Sequence, residues 1–96
     1  MSLTDFQKSS RQEVEDLLRS IPNVECRGFQ EVVGRSETYL KATAKAPQHI
    51  VEIYIYEDEA GYLLEGGEWT IYEKPDYSSS GELLETFLTG LREELT

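Results

Sequence analysis

The sequence predicts an α+β fold: a two-layer sandwich in which an antiparallel meander of about five strands carries an N-terminal and a C-terminal helix on one face, in the order α-β-β-β-β-β-α. Three observations predict it. The stretch Ile50-Val51-Glu52-Ile53-Tyr54-Ile55-Tyr56 is β-branched or aromatic at every position but Glu52, the strongest strand signal in the chain. Short turn signals separate it from further strand-like stretches on both sides, and short connections favour antiparallel neighbours. The two ends of the chain each carry one apolar stripe at helical spacing, so both helices seek the same sheet face.

Taken in order, Thr4 to Ser20 reads as the first helix. Thr4 with Gln7 fits a capping box. Phe6, Val14, Leu17, Leu18 and Ile21 make its apolar stripe, and Pro22-Asn23 stops it. Arg11, Glu15 and Arg19 on the other side are spaced for i,i+4 pairs on a solvated face. Val24 to Val33 reads as a strand with Gly28 inside it, and a mid-strand glycine marks a bulge or a close backbone approach. Without a bulge, Cys26 and Val32 share the core face while Arg27, Phe29 and Glu31 share the other. Gly34-Arg35 suits a two-residue hairpin turn. Glu37 to Ala44 is the next strand, and Ala46-Pro47-Gln48 turns the chain into the strand 50–56.

In that strand Val51, Ile53 and Ile55 point one way and Glu52, Tyr54 and Tyr56 the other. The aliphatic set is the core face, because a slip of one residue would exchange the two sets. Asp58-Glu59-Ala60-Gly61 reads as a turn, Tyr62 to Glu65 as a strand, and Gly66-Gly67 as a type I′ turn into Glu68 to Tyr72. The stretch 75–81 reads as a linker, Ser79 with Glu82 as a second capping box, and Leu83, Leu84, Phe87, Leu88, Leu91 and Leu95 as the stripe of the last helix. Gly90 in that helix suggests a close crossing with the first one.

A chain of 96 residues has room for one core, so residues 1–96 are expected to form a single domain. The net charge is −10, and all of the excess lies in residues 49–96, where the only cations are Lys74 and Arg92. That balance argues against nucleic acid, whose binding rests on Lys and Arg displacing counterions, and against an anionic membrane surface. A basic protein is the partner that complements it. A lone cysteine, no long apolar run and no basic-then-apolar N-terminus point to a cytoplasmic protein.

No motif carries chemistry. His49 and Cys26 are the only residues of their kinds, and nothing orients the imidazole towards the thiol. Zinc needs more ligands than these two. Glu57-Asp58-Glu59 lacks the spacing of a calcium loop, Glu65-Gly66-Gly67-Glu68 lacks the pattern of a phosphate loop, and Ser78, Ser79 and Ser80 suit a helix cap better than a nucleophile elbow. No catalytic residue, metal or cofactor is therefore expected.

The tyrosines carry the functional expectation. Phe29, Tyr39, Tyr54, Tyr56 and Tyr72 fall on the sheet face away from the helices if every register runs true. Tyrosine suits interfaces because it offers a large rigid contact with a polar tip. The expected partner-binding residues are Tyr39, Glu52, Tyr54, Tyr56, Glu68 and Tyr72, docking a basic protein. The helix–meander–helix order with an acidic surface is similar, at the level of fold alone, to the small acidic secretion chaperones and the immunity proteins that neutralise toxins, which implies an inhibitor, immunity or chaperone-like role. Secretion chaperones carry a further helix between their strands, for which this chain has no place. Two other readings compete. A small-ligand protein or enzyme would have a pocket between helices and sheet lined by Trp69, Cys26 and His49, and a structural protein would pair the same face in a homodimer.

Overall fold

The computed structural model describes residues 3–96. Helix α1 spans Asp5–Ser20 and α2 spans Ser80–Leu95. Between them run six strands: β1 (Glu25–Cys26), β2 (Gln30–Val33), β3 (Thr38–Lys45), β4 (Ile50–Ile55), β5 (Ala60–Leu64) and β6 (Trp69–Tyr72). The architecture is the expected one, α+β with two terminal helices and an antiparallel sheet.

The caps explain where the helices begin. Thr4 accepts from the Gln7 N–H at 3.2 Å, and the Gln7 side chain accepts from the Thr4 N–H at 2.9 Å, so both halves of the capping box are made. Gln7 is also buried. Its amide donates to the Thr38 carbonyl at 2.7 Å, which ties the first turn of α1 to the start of β3. At α2 the Ser79 hydroxyl accepts from the Glu82 N–H at 3.1 Å, whereas the Glu82 carboxylate takes the Ser78 hydroxyl at 2.7 Å instead of closing the box. On the outer face of α1, Arg19 pairs with Asp16 at 3.4 Å rather than with Glu15, an exposed pair of small weight.

The core lies between the helices and one sheet face. Leu40, Val51, Ile53, Ile55 and Ala60 from the sheet meet Val14, Leu83, Phe87 and Leu91 from the helices, and each is at most 1% exposed. The strand β4 alternates as expected, with Val51, Ile53 and Ile55 fully buried and Glu52 and Tyr54 half-buried on the other side. Full burial of side chains this size contributes about 1.5–3 kcal/mol each, which makes this face the one the fold depends on.

Four local expectations change. The strand expected at 24–33 is two strands, β1 and β2, both antiparallel to β3. Cys26 sits opposite Ala44 and Gln30 opposite Lys41, so residues 27–29 on one side face residues 42–43 on the other. This one-residue bulge is centred on Gly28, whose φ of +99° disfavours a side chain. Secondly, the turn before β3 is centred on Arg35-Ser36 and not on Gly34-Arg35, because the Gly34 N–H already donates to the Glu37 carbonyl at 2.8 Å. Thirdly, the turn after β4 is Glu57-Asp58, closed by the Tyr56 N–H on the Glu59 carbonyl at 2.8 Å. Gly61 is therefore inside β5, not in a turn, and a Cβ there would lie 2.6 Å from the Thr70 carbonyl oxygen. Fourthly, the turn into β6 holds residues 65–67 and not a Gly66-Gly67 pair, since the Leu64 N–H donates to the Glu68 carbonyl at 2.9 Å. Gly66 supplies the positive φ of +95° that this longer turn uses.

The first and last of these changes each shift a register by one residue, and such a shift exchanges the two faces of a strand. In β2, Val32 lies opposite Tyr39 and away from the helices, while Phe29 packs against the core cluster. In β6, Trp69 lies opposite Leu63 and Tyr72 opposite buried Ala60, so Tyr72 points towards α2. Gly90 receives it. A Cβ at that position would collide with the Tyr72 hydroxyl and lie 3.2 Å from that of Tyr62. Gly90 thus admits two tyrosines under α2 and is not placed for a crossing with α1.

Candidate functional site

The sheet face opposite the helices carries a continuous aromatic cluster. Strand β3 supplies Tyr39, β4 supplies Tyr54, the residue just after β4 is Tyr56, and β6 supplies Trp69. Lys41 lies opposite Tyr54, and Tyr54 in turn lies opposite Gly61, which has no side chain to separate it from β6. Tyr39 and Tyr56 have ring centroids 5.3 Å apart. Tyr54 stacks near-parallel to Tyr56 at 6.2 Å and meets Trp69 edge-on at 5.0 Å. These are spacings at which aromatic pairs contribute beyond their buried area. The three tyrosines are half-buried, and Trp69 and Ile71 are 42% and 37% exposed.

Polar groups hold the centre of the cluster. The Tyr54 hydroxyl donates to Glu52 Oε2. Lys41 Nζ stands 3.7 Å from the same carboxylate and 5.6 Å from the centroid of the Tyr54 ring, so it makes an ion pair and a cation–π contact together. The hydrogen bond to Glu52, then burial and the charge of that carboxylate, push the Tyr54 hydroxyl up to about 12. Burial also moves Tyr56 upward, helped by Tyr39, Glu37 and Glu59.

Carboxylates border the Tyr56 end. Burial raises the Glu59 carboxyl, and the charges of Asp58, Glu73 and Glu37 raise it further. Asp58 is the neighbour of Glu59 in sequence, whereas Glu37 comes from just before β3 and Glu73 from just after β6, so the fold gathers these two where the sequence keeps them apart. A cation arriving at this rim would relieve that crowding.

Of the six expected partner-binding residues, Tyr39, Glu52, Tyr54 and Tyr56 share this face. Tyr72 does not. It packs edge-on against Phe87 at 5.8 Å and beside Tyr62 at 6.3 Å, and burial, its hydrogen bond with Tyr62, then Tyr62, Glu93 and Glu94 move its hydroxyl well above the usual phenol range. Glu68 is exposed just after the turn, opposite Leu64, and follows the alternation of Thr70 and Tyr72, not that of Trp69. Trp69, Ile71 and Val32 take the places that sequence reasoning gave to Tyr72 and Phe29. The lengths of the Gly28 bulge and the Gly66 turn are the signals that decide this, and composition does not reveal them.

The residues of the pocket reading are dispersed. Half-buried Cys26 lines an open recess of about 500 Å³ at the bulge, beside Arg27, Lys41 and Lys45. His49 is exposed in the turn between β3 and β4, and Trp69 lies on the open face. Phe87, Leu83 and Leu91, each at most 1% exposed, occupy the space between helices and sheet. Among the described residues there is no group of three or more His, Cys, Asp or Glu side chains that could hold a metal ion, and no helix is long and apolar enough to cross a membrane.

Comparison with family models, with curated proteins and with solved structures finds no match for this chain. Its functional reading therefore rests on the geometry of the sheet.

Proposed function

We propose that this protein is a small acidic binding module, cytoplasmic and inhibitor-, immunity- or chaperone-like, that docks a basic partner protein through the open sheet face. The observation that carries this reading is the half-exposed cluster Tyr39–Tyr54–Tyr56–Trp69, bordered by Glu37, Glu59 and Glu73 and left uncovered by both helices. A central aromatic patch with a charged border is the arrangement from which most binding free energy and most orientation come. The chain's −10 charge adds long-range attraction for a cation-rich surface, which raises the on-rate more than the final affinity.

The test is affinity capture from the native host at low and high salt, with wild-type protein and the Tyr54→Ser/Tyr56→Ser variant side by side. The expected result is a basic protein retained by the wild type, released by salt and lost with the variant. No partner at low salt, or equal capture by the variant, would count against the reading. Sedimentation at physiological salt separates a second copy from a foreign partner: a dimer that the double variant abolishes would make this face a self-interface.

A further inference from the structure

The two edges of the sheet are not alike. One edge is β1 and β2, broken by the Gly28 bulge and unpaired over residues 27–29. Breaks of this kind blunt an edge against further pairing. The other edge is β6, which among the described residues pairs only with β5 and keeps an unbroken register from Leu63↔Trp69 to Ala60↔Tyr72. Its residues Trp69-Thr70-Ile71-Tyr72 include no proline, lysine or bulge.

Hydrogen bonding fixes which groups this edge offers. The Leu64 N–H donates to the Glu68 carbonyl, so positions 64 and 68 form a bonded pair. Alternation then makes Tyr62–Thr70 and Ala60–Tyr72 bonded pairs as well. Trp69 and Ile71 therefore turn their N–H and C=O groups outward, away from β5. Outside the ladder no hydrogen bond to those groups is made among the described residues. The same two residues carry exposed side chains on the open face.

The surroundings of the edge are acidic. Between Glu65 and Leu91 the only cation is Lys74. On the helix side of β6 lies a recess of about 540 Å³ in which Tyr72, Thr86, Thr89 and Gly90 stand among Glu82, Glu85 and Glu93.

We propose that β6 is a docking edge, and that an extended segment of alternating apolar and cationic residues adds to it as an antiparallel seventh strand. Residues opposite Trp69 and Ile71 receive the outward backbone groups and turn their side chains to the open face, where apolar contact is offered. Residues opposite Thr70 and Tyr72 turn theirs to the helix side, over Glu82, Glu85 and Glu93, where a lysine or arginine is matched. The proposal rests on the basic-partner reading and names the element through which such a partner extends the sheet.

The chain's single tryptophan lies on this strand, so Trp69 fluorescence reports occupancy directly. The probe is a short capped peptide alternating valine and lysine, added to the full chain at low salt. Saturable binding is expected, weakened by salt. Methylating the backbone nitrogens of the valines, which face β6, should weaken it by about tenfold or more. Methylating those of the lysines, which face solvent, should leave it nearly unchanged. Ile71→Lys should lower affinity by a similar factor, whereas Tyr54→Ser/Tyr56→Ser should not, and melts of both variants confirm that they fold. Absence of binding, equal binding of the two methylated peptides, or equal binding of a peptide with its lysines grouped at one end would overturn the proposal. So would a peptide-free dimer that Ile71→Lys dissolves, since the occupant would then be a second copy. None of these outcomes touches the face reading, which stands or falls on Tyr54 and Tyr56 in the capture experiment.

Discussion

Strands β4 and β6 follow the same alternation, yet their tyrosines end on opposite sides of the sheet. In β4 the aliphatic residues Val51, Ile53 and Ile55 leave no choice of face, and Tyr54, with Tyr56 just past the strand end, turns outward. In β6 both faces hold a large aromatic residue, Trp69 on one and Tyr72 on the other. Residue type cannot choose between them. The turn before the strand chooses, because residues 65–67 make it one residue longer than the Gly66-Gly67 pair would. The glycine at position 90 then makes room for the inward tyrosine. Tyrosine on this sheet is a surface residue or a core residue according to register.

Four substitutions sharpen the contrast, from the strongest effect to the weakest. Ile53→Ser on the inward side of β4 should cost about 4 kcal/mol, since it leaves a cavity and buries a hydroxyl. Urea unfolding measures it. Tyr72→Ser should cost about 2–3 kcal/mol, because its ring packs on Phe87 and Tyr62 under α2. A cost near zero would return Tyr72 to the open face. Gly28→Ala should cost about 1–2 kcal/mol at a φ of +99°. Among the described residues nothing lies within 4 Å of a Cβ there, so the loss is conformational and a melt of the variant reads it without a packing term.

The fourth concerns ionisation. The Tyr54 hydroxyl is held up to about 12, chiefly by its hydrogen bond to Glu52, against the usual value near 10. Its folded form favours the protonated phenol, so the contribution to stability is complete below about pH 10 and fades as pH rises through about 12. Glu52→Gln should bring the Tyr54 phenol back towards the ordinary range, which the difference in ultraviolet tyrosinate absorbance between wild type and variant follows while Tyr72 still titrates late. A titration unchanged by Glu52→Gln would remove the Glu52 hydrogen bond as its cause.

Much of this was legible in the sequence for a physical reason. The fold class follows from one unambiguous strand and two amphipathic ends. Thr4, Gln7 and Ser79 announce the helix starts because caps are local chemistry. Tyr39, Tyr54 and Tyr56 were placeable because β3 and β4 pair in unbroken register with an aliphatic core face. Phe29 and Tyr72 were not, because each lies beyond a glycine at which the chain gains one residue. Glycine marks where such a gain is possible without saying whether it occurs. The crowding of Glu37, Glu59 and Glu73 was equally hidden, since it depends on three turns and strand ends meeting at one end of the sheet.

In the proposed function Tyr54 and Tyr56 serve recognition while their strand neighbours serve the fold. A pair of denaturant melts, Tyr54→Ser/Tyr56→Ser against Ile53→Ser, separates the two roles. The double variant should lose about 1 kcal/mol through weakened cross-strand pairs, with Ile53→Ser losing several times more. Equal losses in the two melts would mean that both faces of the sheet are buried, and would contradict the assignment of the tyrosine face to binding.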